Sequence, residues 1–165
     1  MSDAGTPEPQ SRNRLYEIVL DGASISRVNA NIEHEREVAI YDILDGNTFA
    51  LEGRDEGPYR LKIGLVDEKL MLAIGNEEAD ALVTHYLSLT PFKRILKDYF
   101  LVLDSYYQAV RTAPPSRIQA IDMGRRGLHD DGSRVLIERL SGKVTLDFDT
   151  ARRLFTLIAA LHWKG

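Results

Sequence analysis

Alternation of apolar and polar residues predicts strands in the first half of the chain. Residues 15–20 (LYEIVL) form a short apolar run that is typical of a strand. Residues 59–65 alternate strictly, and after the connection VDEK at residues 66–69 the alternation resumes over residues 70–74, which predicts a β-hairpin. Residues 81–89 (ALVTHYLSL) alternate in the same way and predict one more strand.

Helical spacing appears first between these strands. Asn31 is a suitable N-cap for a helix that extends through Leu44, and Gly46 ends it. From Thr90 onward the helical period becomes continuous. Thr90 is the expected cap, and the helix runs through Val110 to the Pro114-Pro115 stop. Its broad apolar face leads us to expect that it is the central helix of the fold.

Two further helical regions complete the chain. Ser116 and Gln119 have the spacing of a capping box and open a helix after the two prolines. Ser141-Gly142 ends the helical region that follows, and Asp147 or Asp149 caps the last helix. Strands early and helices late predict an α+β fold, in which a small antiparallel sheet from the N-terminal half packs against a helical C-terminal half.

The length of 165 residues fits a single globular domain, which we place at residues 13–165 after a polar, flexible tail at residues 1–12. No apolar stretch is long enough to span a membrane, and the N-terminus lacks the apolar core of a secretory signal. We therefore expect a cytoplasmic protein without membrane association. The chain has no cysteine, which excludes disulfides and thiolate zinc sites, and we expect no cofactor.

Charge is distributed unevenly, although the net charge is only −4. Residues 1–90 contain 8 Lys and Arg against 17 Asp and Glu, a net charge of −9, whereas residues 91–165 contain 13 against 8, a net charge of +5. Such asymmetry marks either a surface that binds a polyanion or two halves of one domain that attract each other.

The most unusual segment is DMGRRGLHDDGSR, residues 122–134. It lacks the Lys of a phosphate-binding P-loop after Gly127 or Gly132. One interpretation is a joint between two helices, with basic residues around an exposed helix N-terminus that binds an anion. The residues of this candidate site are Arg125, Arg126, His129 and Arg134.

The alternative interpretation of this segment is structural. Gly124 and Gly127 lie three residues apart on one helical face, where the absence of side chains lets another helix approach closely. Asp130, Asp131 or Ser133 would then cap the helix that follows.

No catalytic constellation is evident. His34 lies in EHERE, but a zinc motif H-E-x-x-H would need a second histidine where Val38 stands, so we predict no metal site. The leading hypothesis is a non-catalytic binding or regulatory module that uses the basic surface near residues 125–134 to hold a protein partner or an anionic ligand. Two alternatives are RNA binding through the basic C-terminal half, and an enzyme in which His129 acts as an acid or base on an anionic substrate.

Several long blocks carry a resemblance to a known family. SLTPFKRILKDYFLVLDSYYQAVR, IQAIDMGRRGLHDDGSRVLIERLSGKV and DFDTARRLFTLIAALHW occupy most of the C-terminal half, and EREVAIYDIL and GPY stand earlier in the chain. Together they resemble the uncharacterised protein family 0262, small bacterial proteins known mainly from alphaproteobacteria, over roughly residues 14–165. The family has no established activity, so the resemblance implies no catalytic residue.

Overall fold

The computed structural model describes residues 12–162, so the tail predicted at residues 1–12 lies outside this range apart from Arg12. Within it, six strands and four helices confirm the α+β class. In chain order they are β1 (Leu15–Leu20), α1 (Ala30–Asp45), β2 (Phe49–Leu51), β3 (Tyr59–Val66), β4 (Lys69–Gly75), β5 (Val83–Ser88), α2 (Thr90–Thr112), α3 (Pro115–Leu140), β6 (Val144–Leu146) and α4 (Phe148–His162).

The main sheet has four strands in the order β1-β3-β4-β5 and is mixed. β3, β4 and β5 are antiparallel neighbours, as expected, and the hairpin turns at Asp67 and Glu68, which both have positive φ. A two-residue turn with positive φ at both positions matches the right-handed twist of the flanking strands. β1 differs from the prediction because it pairs with β3 in parallel, with Ile18 beside Leu61. The connection through α1 and β2 returns the chain in its original direction, which a parallel pair requires.

A second, two-stranded sheet joins distant parts of the chain. β2 pairs antiparallel with β6, so that Phe49 lies opposite Leu146 and Leu51 opposite Val144. The sequence did not predict these strands, because three residues are too few to show a period. Through this pairing the segment after α1 is attached directly to the connection between α3 and α4.

Helix caps were predicted only in part. Asn29, rather than Asn31, caps α1, since its Oδ1 accepts a hydrogen bond of 2.9 Å from the Ile32 backbone N–H. Asp147 caps α4 as one of the two predicted alternatives, accepting from the Thr150 N–H at 2.9 Å. Asn31 and Asn29 are both plausible caps by residue type, and only the backbone path distinguishes them.

The caps predicted for α2 and α3 are wrong. The N-cap of α2 is Leu89, which forms no side-chain cap hydrogen bond, and Thr90 is already helical. The N-cap of α3 is Pro114, so Ser116 lies within the first turn instead of forming a capping box. Proline at the first positions of both helices makes a side-chain cap less necessary, because it removes one backbone donor and preorganises φ.

The most buried helix is α4 rather than α2, contrary to the expectation. Eight of the 15 residues of α4 are buried, compared with five of the 23 in α2. α4 packs against both α1 and α3, and α3 also packs along α2. The broad apolar face of α2 is not matched by burial, since Leu101 remains 57% exposed. No helix in residues 12–162 is long and apolar enough to cross a bilayer.

One charged side chain is built into the junction of α1 and α4. Arg36 is only 3% exposed, and its guanidinium donates to the backbone carbonyls of Ala160 and Leu161 in the last turn of α4. It also donates to the Ser26 carbonyl at 2.9 Å and pairs with Glu33 at 3.1 Å. The carbonyls of Ala160 and Leu161 would otherwise lack partners at the C-terminus of α4, so the buried charge of Arg36 attaches the last turn of α4 to α1.

Candidate functional site

The segment at residues 122–134 is the middle of one continuous helix. α3 runs unbroken from Pro115 to Leu140, so the expected joint between two helices is wrong, and no helix N-terminus exists there to bind an anion. Asp130, Asp131 and Ser133 are accordingly interior helical residues and not caps. The glycines do not interrupt the helix, which is supported on its surface by ion pairs at i,i+3 and i,i+4 spacing.

The four residues of the predicted basic site do not form one surface. Arg125 and His129 lie one helical turn apart and face the body of the protein, where they are half-buried and buried respectively. Arg126 is exposed at the side of the helix. Arg134 lies nine residues beyond Arg125, which places it half a turn around α3 on the opposite face. The structure therefore brings Arg125 and His129 together and separates them from Arg134.

Carboxylates of α3 neutralise most of this basic charge. The Asp122 carboxylate accepts from Arg125 Nη2 at 2.6 Å and pairs with Arg126 Nε at 3.0 Å. Arg134 pairs in the same way with Asp131, at 3.0 Å. The hydrogen bond from Arg125 is the main reason that the pKa of Asp122 is lowered.

The close helix contact is at Gly132 and not at Gly124 or Gly127. A Cβ atom added at Gly132 would lie 2.6 Å from Phe155 Cδ1 of α4, and closer still to two other ring atoms. A Cβ at Gly124 or Gly127 would meet nothing within 4 Å. The predicted packing role of Gly124 and Gly127 is therefore wrong, although packing by a glycine of this segment does occur.

His129 is part of an aromatic cluster beneath α3. Its ring lies 5.4 Å from that of Phe155 and 6.0 Å from that of Tyr99, between centroids. Its Nε2 is 2.7 Å from Thr156 Oγ1, and the Thr156 hydroxyl donates to the Arg152 carbonyl at 3.1 Å. The hydroxyl therefore accepts from His129, which assigns the proton to Nε2 and leaves Nδ1 to accept from Arg152 Nε at 3.5 Å.

This environment keeps His129 neutral. Burial lowers the pKa of its imidazole from 6.5 to about 4, and the nearby charge of Arg152 contributes in the same direction. At neutral pH the ring carries one N–H proton, on Nε2, and donates it in a hydrogen bond to the Thr156 hydroxyl.

A groove lies where the four helices meet, and we call it the helix-junction groove. Its volume is about 600 Å³. Apolar side chains supply most of the floor, and polar groups from all four helices and from the residue before α1 stand at its walls. The lining consists of Asn29, Asn31, Ile32, Glu35, Tyr99, Leu103, Tyr107, Arg125, Thr156, Ala159 and Ala160.

Arg125 is held in place at one wall of the groove. It is hydrogen-bonded to Asp122, it interacts with the Tyr99 hydroxyl, and its guanidinium carbon lies 5.6 Å from the centre of the Tyr106 ring. Burial raises the pKa of Tyr99, so its hydroxyl stays protonated beside the guanidinium. The charge of Glu35 on α1 also reaches Tyr99 and raises its pKa further.

A smaller depression of about 250 Å³ lies on the other side of Thr156, lined by His129, Asp149, Arg152, Arg153 and Thr156. Its two arginines already have partners in the protein. Arg152 pairs with Asp130 at 3.4 Å, and Arg153 donates to the Gly46 carbonyl at 2.6 Å. Among residues 12–162, no three His, Asp or Glu side chains are grouped as ligands of a metal ion.

Sequence reasoning found Arg125 but missed the residues that surround it. Glu35, Asn31, Tyr99 and Thr156 come from three other helices and are up to 125 positions apart in the chain. No local motif connects them. The single signal in the sequence was the density of arginine and glycine around Arg125, which drew attention to this part of α3.

The chain matches the model of the Uncharacterised protein family (UPF0262) over residues 12–164. It belongs to this family. A UPF0262 protein from Rhodopseudomonas palustris strain TIE-1 is 60% identical over 160 residues, which is 96% of this chain and 98% of that protein. Another from Nitrobacter hamburgensis is 59% identical over 96% of this chain and 97% of its own length. No solved structure is similar to this UPF0262 chain.

Proposed function

We propose that the protein is a non-catalytic binding module that holds a small organic anion in the helix-junction groove. The observation that carries this proposal is the position of Arg125. It is a preorganised cation at the wall of a groove with an apolar floor.

The dimensions and lining of the groove support a small-molecule ligand. Sites for such ligands usually have volumes of about 300–1,000 Å³ and combine apolar walls with a few convergent polar groups. The groove, at about 600 Å³, has Ile32, Leu103 and Ala159 in its lining, with the amides of Asn29 and Asn31 at one side. The apolar body of a ligand would contact these three side chains, and a polar group of the same ligand would hydrogen-bond to the amides.

Arg125 still has donors available for an anion. A guanidinium carries five N–H donors in a planar fork that fits a carboxylate. Asp122 engages Nε and Nη2 and Tyr99 contacts the guanidinium as well, which still leaves part of its five N–H donors for other acceptors. Glu35 also lines the groove and would repel a second negative group, so a monoanion is the better fit.

The state of His129 supports binding without acid–base catalysis. The lowered pKa, about 4, makes the imidazole a weak base, and its Nε2 proton is donated to Thr156. A general acid or base works best with a pKa near the operating pH. We therefore assign His129 a packing role.

The test is thermal denaturation in the presence of hydrophobic monocarboxylates, each compared with its neutral amide. Ligand bound to the folded state raises the melting temperature, and we expect the carboxylates to do so more than the amides. Arg125→Ala should abolish the difference, whereas Arg126→Ala should retain it. Arg126 pairs with the same Asp122 carboxylate but does not line the groove, so it is a matched control. Equal responses to carboxylate and amide, or an unchanged response in Arg125→Ala, would overturn the proposal.

Binding of RNA through the basic C-terminal half remains a prediction. Its test is affinity for a labelled oligonucleotide, which should fall steeply as salt is raised if phosphates are contacted. No retention at low salt would exclude it.

A further inference from the structure

The connected ends of α2 and α3 form an exposed stretch of the molecule. α3 has 26 residues and α4 has 15, which correspond to lengths of about 39 Å and about 22 Å at 1.5 Å per residue. No residue from 110 to 128 is buried, whereas both helices are partly buried outside this interval. We call residues 106–126 the hairpin tip.

The hairpin tip exposes apolar side chains beside the helix-junction groove. Tyr107 is 51% exposed and Val110 is 52% exposed, one turn apart on α2. Ile118 and Ile121 of α3 are only half-buried. Exposed apolar groups in one patch are typical of a surface that contacts another molecule.

The hairpin tip is also positively charged. It contains Arg111, Arg117, Arg125 and Arg126 against the single acid Asp122, a net charge of +3. Asp122 is shared by Arg125 and Arg126. Arg111 and Arg117 have no carboxylate partner among residues 12–162, so their charge is uncompensated in this part of the chain.

A complementary surface is present on α1, which carries a net charge of −4. One stripe of this helix, which we call the acidic face, is formed by Glu35, Val38, Tyr41, Asp42 and Asp45 at helical spacing. Tyr41 is 67% exposed and Val38 is 41% exposed. Neither Asp42 nor Asp45 has a cationic partner within the described residues.

The two surfaces lie on the same side of the molecule. Glu35 of the acidic face and Tyr107 and Arg125 of the hairpin tip all line the helix-junction groove. Two copies related by a twofold axis can therefore face each other, with the tip of each against the acidic face of the other. Such reciprocal contacts use both surfaces and close the assembly at two copies.

We propose that the protein forms a closed homodimer in which the hairpin tip of each copy binds the acidic face of α1 in the other. The partner is a second copy of the chain because the two surfaces are complementary. Both expose apolar side chains, and their charges are opposite. The proposal does not depend on a ligand in the groove.

The experiment is measurement of molar mass by light scattering during gel filtration. The wild type should have twice the chain mass of 18.6 kDa and should dissociate as salt is raised. Two variants reverse the charge of one surface each, Arg111→Glu with Arg117→Glu, and Asp42→Lys with Asp45→Lys. In a dimer of one variant, symmetry places four like-charge pairs at the interface. We therefore expect the affinity of each variant for itself to be lower by about a hundredfold or more.

Mixing the two variants is the decisive step. In a mixed pair both contacts again join opposite charges, so a heterodimer should form under conditions in which each variant alone dimerises only weakly. Arg134→Glu with Arg139→Glu is the control, because it changes the net charge equally at the other end of α3 and should remain dimeric. Circular dichroism verifies that each variant is folded. A monomeric wild type at all concentrations, dimers that tolerate either reversal, no heterodimer on mixing, or open-ended polymers would each overturn the proposal.

Discussion

Replacement of Gly132 by alanine should destabilise the protein, although alanine is the better helix former. The added Cβ would lie 2.6 Å from Phe155 Cδ1, about 1 Å inside an ordinary carbon–carbon contact. The Phe155 ring cannot easily retreat, because it is fully buried and packs edge-on against both Tyr99 and His129. α3 and α4 must therefore separate or the ring must leave its preferred rotamer.

The magnitude follows from two opposing effects. Overpacking of a well-filled core typically costs about 1–3 kcal/mol and occasionally more, and the severe overlap at Gly132 places it at the upper end. Alanine in a helix interior recovers about 1 kcal/mol relative to glycine. We expect the free energy of unfolding to decrease by about 2 kcal/mol, which corresponds to a melting temperature lower by roughly 4–8 °C for a chain of this size.

Gly124 and Gly127 provide matched controls on the same helix. A Cβ at either position meets nothing within 4 Å, so Gly124→Ala and Gly127→Ala should each increase the free energy of unfolding by about 0.5–1 kcal/mol. The assay is urea denaturation followed by circular dichroism at 222 nm, the helix signal. The double variant Gly132→Ala with Phe155→Leu should lose less free energy of unfolding than the two single variants lose together. Stabilisation by Gly132→Ala, or destabilisation by the two controls, would refute this account of the α3–α4 contact.

Three further perturbations test other parts of the structure. The pKa of His129 is lowered from 6.5 to about 4, so the unfolded chain binds more protons than the folded one between these values. The free energy of unfolding should therefore fall by up to about 3 kcal/mol as pH drops through this window, and urea titrations of His129→Gln should show a smaller dependence. Asn29→Ala should cost about 1 kcal/mol of stability, whereas Asn31→Ala should change it little; equal effects in thermal denaturation would contradict the assigned cap. Arg36→Met should cost about 2–4 kcal/mol in urea titrations, because buried carbonyls at the end of α4 lose their donors; a neutral result would show that water replaces the guanidinium.

Local patterns predicted the elements whose burial is regular along the chain. The hairpin of β3 and β4 was predicted because one face of each strand is buried and the other is not, so alternation in the sequence reflects burial directly. The α+β class followed from the change of period near Thr90. The length of α3 was not predicted, because Gly124, Gly127 and Gly132 are typical of loops in isolation. Ion pairs and tertiary contacts outweigh their low helix propensity.

The candidate site depended almost entirely on tertiary structure. Arg125 was selected from the sequence because arginines are dense around it, but Tyr99, which it contacts, and Glu35, which lines the same groove, lie on other helices. Arg134, predicted as part of the same surface, points away because nine residues of helix amount to a half-integral number of turns. If this segment were a loop, the direction of the Arg134 side chain would not follow from its distance along the chain from Arg125.

Composition and periodicity by themselves determined the class of fold, most of its strands and helices, and the unequal distribution of charge between the two halves. These properties depend on each residue and its near neighbours, which the order of the chain specifies. Only the tertiary structure decided that β1 is parallel to β3, that Gly132 rather than Gly124 admits a neighbouring helix, and that α4 is the most buried helix. Each of these depends on contacts between segments far apart in the chain, whose energies no local pattern records.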